Sequence, residues 1–233
     1  MATATKTEKV SKKPASKQVQ VMITKPNMIT AEFPVIGLSP LVMHSFPEKV
    51  RRQIIEDHEA GSQSKKGKKK TPRDFAEESV GATHFDSDEG WIGVPASAIR
   101  AACISACRLV GFHMTKGKLG LFCMPDGFDK VDAQPLIKLY ACKHTAPILS
   151  VRNANMVHDL RCRPMWRKWG LLIPMRFDGD MFSETDVANL LSRVGEQVGL
   201  LEGRHDSVRS NGMGWGTFAH CEKKEVTSLG LAT

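Results

Sequence analysis

The amino-acid sequence predicts an α+β domain, because two patterned helical segments flank a region rich in short apolar strands. The first helical segment, Val94–Phe112, has a proline in its first turn and a glycine near its end. The second begins at Ser183, and Asp186 stands three residues later, which resembles a capping box. Between the two helices, apolar runs are separated by Pro-Asp-Gly and Asp-Gly-Asp sequences, which are typical of turns between strands.

Strands are also predicted before the first helix and after the second. The first strand is expected within Ala31–His44, where Pro40 favours a strand end or an edge. A final strand is predicted in Trp215–Val226. The order of elements reduces to β-α-β-β-α-β, the ferredoxin-like (RRM-like) arrangement, and we expect one such domain over residues 29–233.

The polar segments outside this core carry most of the positive charge. Residues 1–28 are expected to be a disordered basic tail, and residues 45–90 a large insertion after the first strand. The formal net charge is +8, yet residues 1–18 alone hold five lysines against one glutamate. Such segments bind polyanions or merely solubilise a chain. A second lysine run lies in the insertion: Lys65, Lys66, Lys68, Lys69 and Lys70.

Several classes of protein are not expected from this sequence. It contains no run of 18 apolar residues for a membrane-spanning helix. Its lysine-rich N-terminus lacks the apolar core of a secretory signal, so we expect a cytoplasmic protein. The six cysteines show no zinc-site spacing, and neither a metal nor a cofactor is expected.

The glycine-rich stretch VGLLEGRHDSVRSNGMGWGTF, Val198–Phe218, does not fit a nucleotide-binding loop. Its glycines at 212, 214 and 216 read G-x-G-x-G. A helix is predicted before the stretch and a strand after it, whereas both common nucleotide motifs follow a strand and open a helix. A loop contacting a nucleic-acid backbone and a tight packing turn remain as alternatives.

Three stretches together resemble the RAMP superfamily of RNA-binding proteins of CRISPR-type complexes: IGLSPLVMHS, GVPASAIRAACISACR and the glycine-rich stretch. A stand-alone phage or mobile-element relative fits this resemblance as well as a backbone subunit does. The resemblance implies RNA or single-stranded DNA as partner and side-by-side assembly along the strand. It also implies that the glycine-rich loop contacts the backbone through Gly203, Arg204, Arg209, Gly212 and Gly214.

A second candidate segment, RCRPMWRKWG, combines cations with tryptophans and contains no acid. Cations that follow phosphates beside a ring that stacks a base suit single-stranded nucleic acid. The alternative is that both tryptophans belong to the core. The proposed binding residues are Arg161, Arg163, Trp166, Arg167 and Lys168.

The sequence therefore predicts a non-catalytic protein that binds RNA or single-stranded DNA and self-associates. Two alternatives remain open. One is a metal-independent endoribonuclease of the same superfamily with His44 as acid–base, although no partner for this histidine is evident. The other is a structural or interaction protein whose lysines bind nucleic acid incidentally.

Overall fold

The computed structural model describes residues 23–46, 48–59, 74–152, 158–207 and 212–233. These residues form an α+β structure with a large antiparallel sheet. The strands are β1 (Met28–Gly37), β2 (Leu41–Val42), β3 (Gly93–Pro95), β4 (Leu121–Cys123), β5 (Gly127–Phe128), β6 (Pro135–Ala141), β7 (Ile148–Arg152), β8 (His158–Cys162), β9 (Met165–Trp166), β10 (Trp169–Asp178) and β11 (Phe218–His220). The α-helices are α1 (Glu48–Glu59), α2 (Phe75–Gly81), α3 (Ala96–Ala106), α4 (Met114–Gly120), α5 (Glu184–Arg193) and α6 (Lys223–Thr227).

The main sheet has the strand order β11-β1-β10-β6-β3, with β4 also pairing with β10 and β5 with β6. Every pairing in this sheet is antiparallel. The central pair is β1 with β10, in a register that places Val35 opposite Leu171. Two further antiparallel pairs, β2 with β9 and β7 with β8, lie outside this sheet.

The alternation of apolar side chains along β10 places the core on one face of the sheet. Leu171, Ile173, Met175 and Phe177 are fully buried, whereas Arg176 between them is exposed. Alternate residues of a strand point to opposite faces, so the buried set marks one side. Helices α3 and α5 contribute Ile99, Cys103, Val187 and Leu191 to the same core cluster.

Both predicted helices are present, although α3 begins at Ala96 and not at Val94, because Val94 and Pro95 belong to strand β3. Helix α3 continues as one 3₁₀ turn, Cys107–Val110, and stops at Gly111, whose φ of +67° favours glycine. The capping box of α5 is confirmed, because the Asp186 amide donates to Ser183 Oγ and the Ser183 amide donates to Asp186 Oδ2. A π-helical turn, Val194–Val198, follows α5 and leads into the glycine-rich stretch.

The predicted final strand was too long. Strand β11 ends at His220, and α6 begins three residues later at Lys223. Glu222 starts this helix in a reciprocal bond pair with Glu225, so residues expected in a strand are helical instead. The first strand is interrupted as expected, with Pro40 between the end of β1 and the start of β2.

The segment 45–90 contains α1, α2 and a stretch that packs against the main sheet. The Ser45 amide donates to the Ala82 carbonyl, and the buried His84 Nδ1 lies 2.8 Å from Asp129 Oδ2. The lysine run of residues 65–70 and residues 1–22 of the expected tail lie outside the described residues.

Candidate nucleic-acid interface

A groove of about 1040 Å³ lies between helix α3 and the first half of the glycine-rich stretch. We call it the basic groove, because five cationic side chains line it and only two carboxylates do. Its cations are Arg100, Arg108, Lys118, Arg161 and Arg204, and its acids are Glu202 and Asp206. On the α3 side, small residues such as Ser97, Ala101 and Ser105 form the lining and leave the helix surface open to a ligand.

Backbone hydrogen bonds join the glycine-rich stretch to the segment that follows β1. The Leu38 amide donates to the Thr217 carbonyl, at 2.8 Å, and the Gly216 amide donates to the Pro40 carbonyl, also at 2.8 Å. The Glu202 amide donates to the Val42 carbonyl at 3.1 Å. The stretch IGLSPLVMHS and the glycine-rich stretch are therefore neighbours in space. His44, near the end of IGLSPLVMHS, lines the basic groove.

The remaining stretch, GVPASAIRAACISACR, contains helix α3 and contacts the glycine-rich stretch through an ion pair. Arg108 Nη2 donates to both carboxylate oxygens of Asp206, at 2.9 and 2.8 Å, and Ser105 Oγ also donates to Asp206. The Ser105 hydrogen bond, with Arg108 as a further cause, lowers the pKa of Asp206, so this carboxylate is ionised at neutral pH. All three stretches thus meet around one groove.

The glycines of this stretch fall into two groups. Gly203 and Gly216 have positive φ and tight surroundings: an added Cβ would lie 2.4 Å from Cε3 of Trp215 and 2.1 Å from the Leu200 carbonyl oxygen, respectively. These two glycines support the packing alternative. Gly212 and Gly214 also have positive φ, but an added Cβ would meet no atom closer than 3.4 Å.

Two groove cations, Arg100 on α3 and Arg108 in the 3₁₀ turn that continues it, were missed by sequence reasoning. Arg100 and Arg108 are eight residues apart, which places them on one side of a helix. Arg100 is held in place by donating from Nε to the Leu121 carbonyl at 2.8 Å. The spacing of these two arginines within a predicted helix was the signal that could have identified them.

Arg204 and Arg161 were predicted and do line the basic groove. Arg204 Nη1 donates to the Leu201 carbonyl at 3.0 Å, which fixes the side chain against its own turn. Arg167 and Lys168 are exposed in the bend between β9 and β10 and do not line the groove. Arg209 lies outside the described residues.

The predicted stacking role of Trp166 is wrong in this structure. Its side chain is 1% exposed, and its ring packs 5.4 Å from that of His144. Trp169 is fully buried and donates from Nε1 to the Ser39 carbonyl at 2.7 Å. Both indoles belong to the core, so neither has a face on which a base can stack. Trp215 is half-buried and packs on Gly203, which lines the groove.

Arg163 is also unsuited to the predicted contact with phosphate. It is 4% exposed, with Nη1 3.4 Å from Glu78 and Nε 3.2 Å from Glu202. A buried arginine between two carboxylates is satisfied within the protein, and its removal would leave those carboxylates unpaired. Arg163 therefore links helix α2 to the wall of the basic groove.

His44 has a carboxylate neighbour that the sequence did not indicate. Its Nδ1 lies 4.0 Å from Glu202 Oε2, and its side chain is 42% exposed. Burial, followed by the positive charges of Arg163 and Arg161, lowers the pKa of His44 to about 4. The imidazole is therefore neutral at pH 7 and has no proton to donate as a general acid.

The described part of the chain holds no cluster of three or more histidine, cysteine or acidic side chains that could bind a metal ion. Burial raises the pKa of the Cys103 thiol to about 12, as expected for a core cysteine. Among the described residues, no helix has the length and apolarity needed to cross a membrane. Comparison with family models, curated proteins and solved structures finds no match to this chain.

Proposed function

We propose that this protein is a non-catalytic binder of RNA or single-stranded DNA that holds the strand backbone in the basic groove. The observation that carries the proposal is the excess of five cations over two carboxylates along one groove bordered by helix α3 and a glycine-rich turn. Cations that line a groove neutralise phosphates of a bound strand, and this electrostatic contribution accounts for much of the affinity for nucleic acids.

The topology supports a ferredoxin-like core for this binder. Strands β1 and β6 are each antiparallel to β10, so they are parallel to one another, and α3 lies in the connection between them. In the same way, β10 and β11 are each antiparallel to β1, and α5 lies between them in the chain. Two interleaved split β-α-β units of this kind make up the proposed arrangement.

The resemblance to the RAMP superfamily agrees with this site, because its three stretches converge on the groove. Within the proposal, the glycine-rich loop around Gly212 and Gly214 lies against the strand backbone, and the half-buried Trp215 takes the stacking role in place of the buried Trp166. Side-by-side assembly along the strand, as in CRISPR-type backbone subunits, remains part of the proposal.

Binding to labelled oligo-uridine and oligo-thymidine strands, measured by fluorescence anisotropy over a range of salt concentrations, tests the groove. The double variant Arg108→Gln/Lys118→Gln removes two exposed cations of the groove. Loss of charge-assisted contacts to phosphate predicts binding about 10- to 100-fold weaker per contact. The salt dependence should also fall by about 0.7 in log–log slope for each lost contact.

The matched control is Arg176→Gln/Lys143→Gln, which changes the same charges at exposed positions outside the groove. If control and groove variants bind equally weakly, the effect is one of net charge and the groove is not the site. A further variant lacks residues 1–22 and has Lys65–Lys70 neutralised. Complete loss of binding in that variant would favour the alternative in which lysine segments bind nucleic acid incidentally.

A second candidate function, a metal-independent ribonuclease, is favoured by one observation, the 4.0 Å approach of Glu202 to His44. In this alternative, neutral His44 accepts the proton of the 2′-hydroxyl as its oxygen attacks the phosphorus, the P–O5′ bond breaks, and the resulting imidazolium returns a proton to the 5′-oxygen. Incubation with end-labelled RNA in the presence of a chelator separates the two functions. Discrete products that vanish in His44→Ala support the enzyme, and an intact, protected strand supports the binder.

A further inference from the structure

The first half of strand β1 has an open edge on the side of β11. Strand β11 pairs only with residues 35–37 of β1. The Cys221 amide donates to the Pro34 carbonyl at 3.2 Å, and the chain then turns away into α6. Among the described residues, no strand pairs with residues 28–33 on this side, whereas β10 pairs with all of them on the other. We call residues 28–33 the open edge.

Three residues of the open edge direct their backbone groups outward. Successive residues of an antiparallel strand direct their N–H and C=O groups to alternate sides. Because the Pro34 carbonyl faces β11, the backbone groups of Met28, Thr30 and Glu32 face the same side, away from β10. Both Thr30 and Glu32 are exposed. The open edge therefore presents a row of N–H and C=O groups to which another strand can bond.

The sequence of the open edge lacks the features that commonly protect such an edge. It reads MITAEF and contains no lysine, proline or glycine. Its one charged side chain, Glu32, is already paired, because Lys223 Nζ lies 2.8 Å from Glu32 Oε1. Ile29 is 38% exposed, although it lies on the same face of the strand as the buried Phe33. A strand added at this edge covers Ile29.

We propose that the open edge pairs with the open edge of a second copy of this chain, antiparallel about a two-fold axis at Thr30. In this register Thr30 lies opposite Thr30 of the second copy, and Met28 lies opposite Glu32. Each bonded pair exchanges two hydrogen bonds, which gives about six in total. Ile29 lies opposite Ala31, and the two Glu32 carboxylates are four residues, or about 13 Å, apart along the strands.

Two prolines favour this register over its neighbours. Pro26 and Pro34 are each four residues from Thr30, and proline has no N–H to donate. A shift of one strand by two residues sets either Glu32 opposite Pro26 or Met28 opposite Pro34, whose carbonyl is already bonded within its own sheet. Only the register centred on Thr30 pairs all three outward-facing residues. The resulting dimer is closed and forms without nucleic acid, unlike the side-by-side assembly of the proposed function.

Sedimentation velocity of the full chain, free of nucleic acid and in reducing buffer, tests the pairing over a range of concentrations. We expect the 25.7 kDa chain to change from monomer to dimer as its concentration rises. Thr30→Pro removes one outward N–H from each copy and spares the bonds to β10, so it should weaken dimerisation about tenfold or more. Thr30→Val keeps that N–H and is the matched control, which should dimerise as the wild type does. A wild type that stays monomeric, a dimer that persists in Thr30→Pro, or equal weakening in both variants overturns the proposal.

Hydrogen exchange of the wild type tests the same pairing without a substitution. The amides of Thr30 and Glu32 should exchange about tenfold more slowly in the dimer than in the monomer, because the pairing must open before exchange. The amides of Ile29 and Ala31 face β10 and should be protected at both concentrations. Protection of Thr30 and Glu32 that does not change with concentration would mean that the edge is covered within one chain. Fast exchange at both concentrations would mean that nothing covers it, and either result refutes the dimer.

Discussion

Alanine substitutions at Gly216 and Gly212 separate packing from binding within the glycine-rich stretch. At Gly216, with φ +71°, the new Cβ would lie 2.1 Å from the carbonyl oxygen and 2.6 Å from the amide nitrogen of Leu200. Both are backbone atoms and cannot rotate away. Relief requires movement of the turn, which breaks the bonds of Gly216 to Pro40 and Leu200, of 2.8 and 3.0 Å.

The expected cost at Gly216 follows from three contributions. The left-handed conformation costs a non-glycine residue about 1–2 kcal/mol, and two lost hydrogen bonds cost about 1 kcal/mol each. Steric overlap brings the total loss of unfolding free energy to at least about 4 kcal/mol, or about 8–16 °C in Tm for a domain of this size. Gly212, at φ +62° and with no atom within 3.8 Å of the added Cβ, incurs only the conformational cost of about 1–2 kcal/mol.

Thermal melting and strand binding of Gly216→Ala and Gly212→Ala, each measured separately, provide the assay. Gly212→Ala should lower Tm by about 2–8 °C and weaken strand binding while the protein stays folded, because the added Cβ strains the backbone of the loop proposed to contact the strand. Equal Tm values for the two variants would refute the packing argument. Unchanged strand binding in a folded Gly212→Ala protein would remove Gly212 from the proposed interface.

Three further predictions concern single side chains. His44 is neutral in the folded protein but protonates in the unfolded chain, so the free energy of unfolding should fall as the pH drops from 6.5 through the folded pKa of about 4. Because the side chain is 42% exposed, we expect a loss of about 1–2 kcal/mol. Urea titrations at pH 7 and 5 should show this loss in the wild type but not in His44→Gln. Trp166→Ala should lower the free energy of unfolding by about 3–5 kcal/mol. It should leave strand affinity unchanged per folded molecule, as judged by stoichiometric titration of the binding-competent protein with strand. Asp206→Asn should tighten strand binding several-fold, because it removes a negative charge and frees Arg108 from its carboxylate partner, with little change in Tm.

Each of these predictions has an outcome that contradicts it. A pH dependence that survives in His44→Gln would assign it to other groups. A Trp166→Ala protein that stays stable but binds weakly would restore the stacking role. Weaker binding by Asp206→Asn would mean that Asp206 positions the groove rather than competing with phosphate for Arg108.

Sequence patterns predicted the start of a helix correctly where hydrogen bonds between residues close in sequence determine it. Ser183 and Asp186 are three residues apart, the distance at which a side chain and an amide can bond reciprocally, so the start of α5 was predictable. The burial of Trp166 was not, because it depends on the pairing of β9 with β2, from a segment over a hundred residues earlier. Cations beside aromatic residues look alike in sequence whether the rings face solvent or the core.

The candidate site was predictable only in part, for the same reason. The glycine-rich stretch and Arg204 were identified from one continuous segment. Arg100 and Arg108 lie in another segment, and Arg108 meets the glycine-rich stretch at Asp206, 98 residues away in the sequence. Arg163 was assigned to the surface because neither of its partners, Glu78 and Glu202, is close to it in sequence.

The pairing of β11 with β1 has a consequence for synthesis of the chain on the ribosome. Gly37 at the end of β1 lies opposite Phe218, so strands from the first and last fifths of the sequence are adjacent. The turn that borders the basic groove closes only when Gly216 bonds to Pro40 and Leu200. A nascent chain that exposes every groove cation of α3 therefore still lacks the groove until residues near 220 have emerged, and capture of nucleic acid should follow translation rather than accompany it.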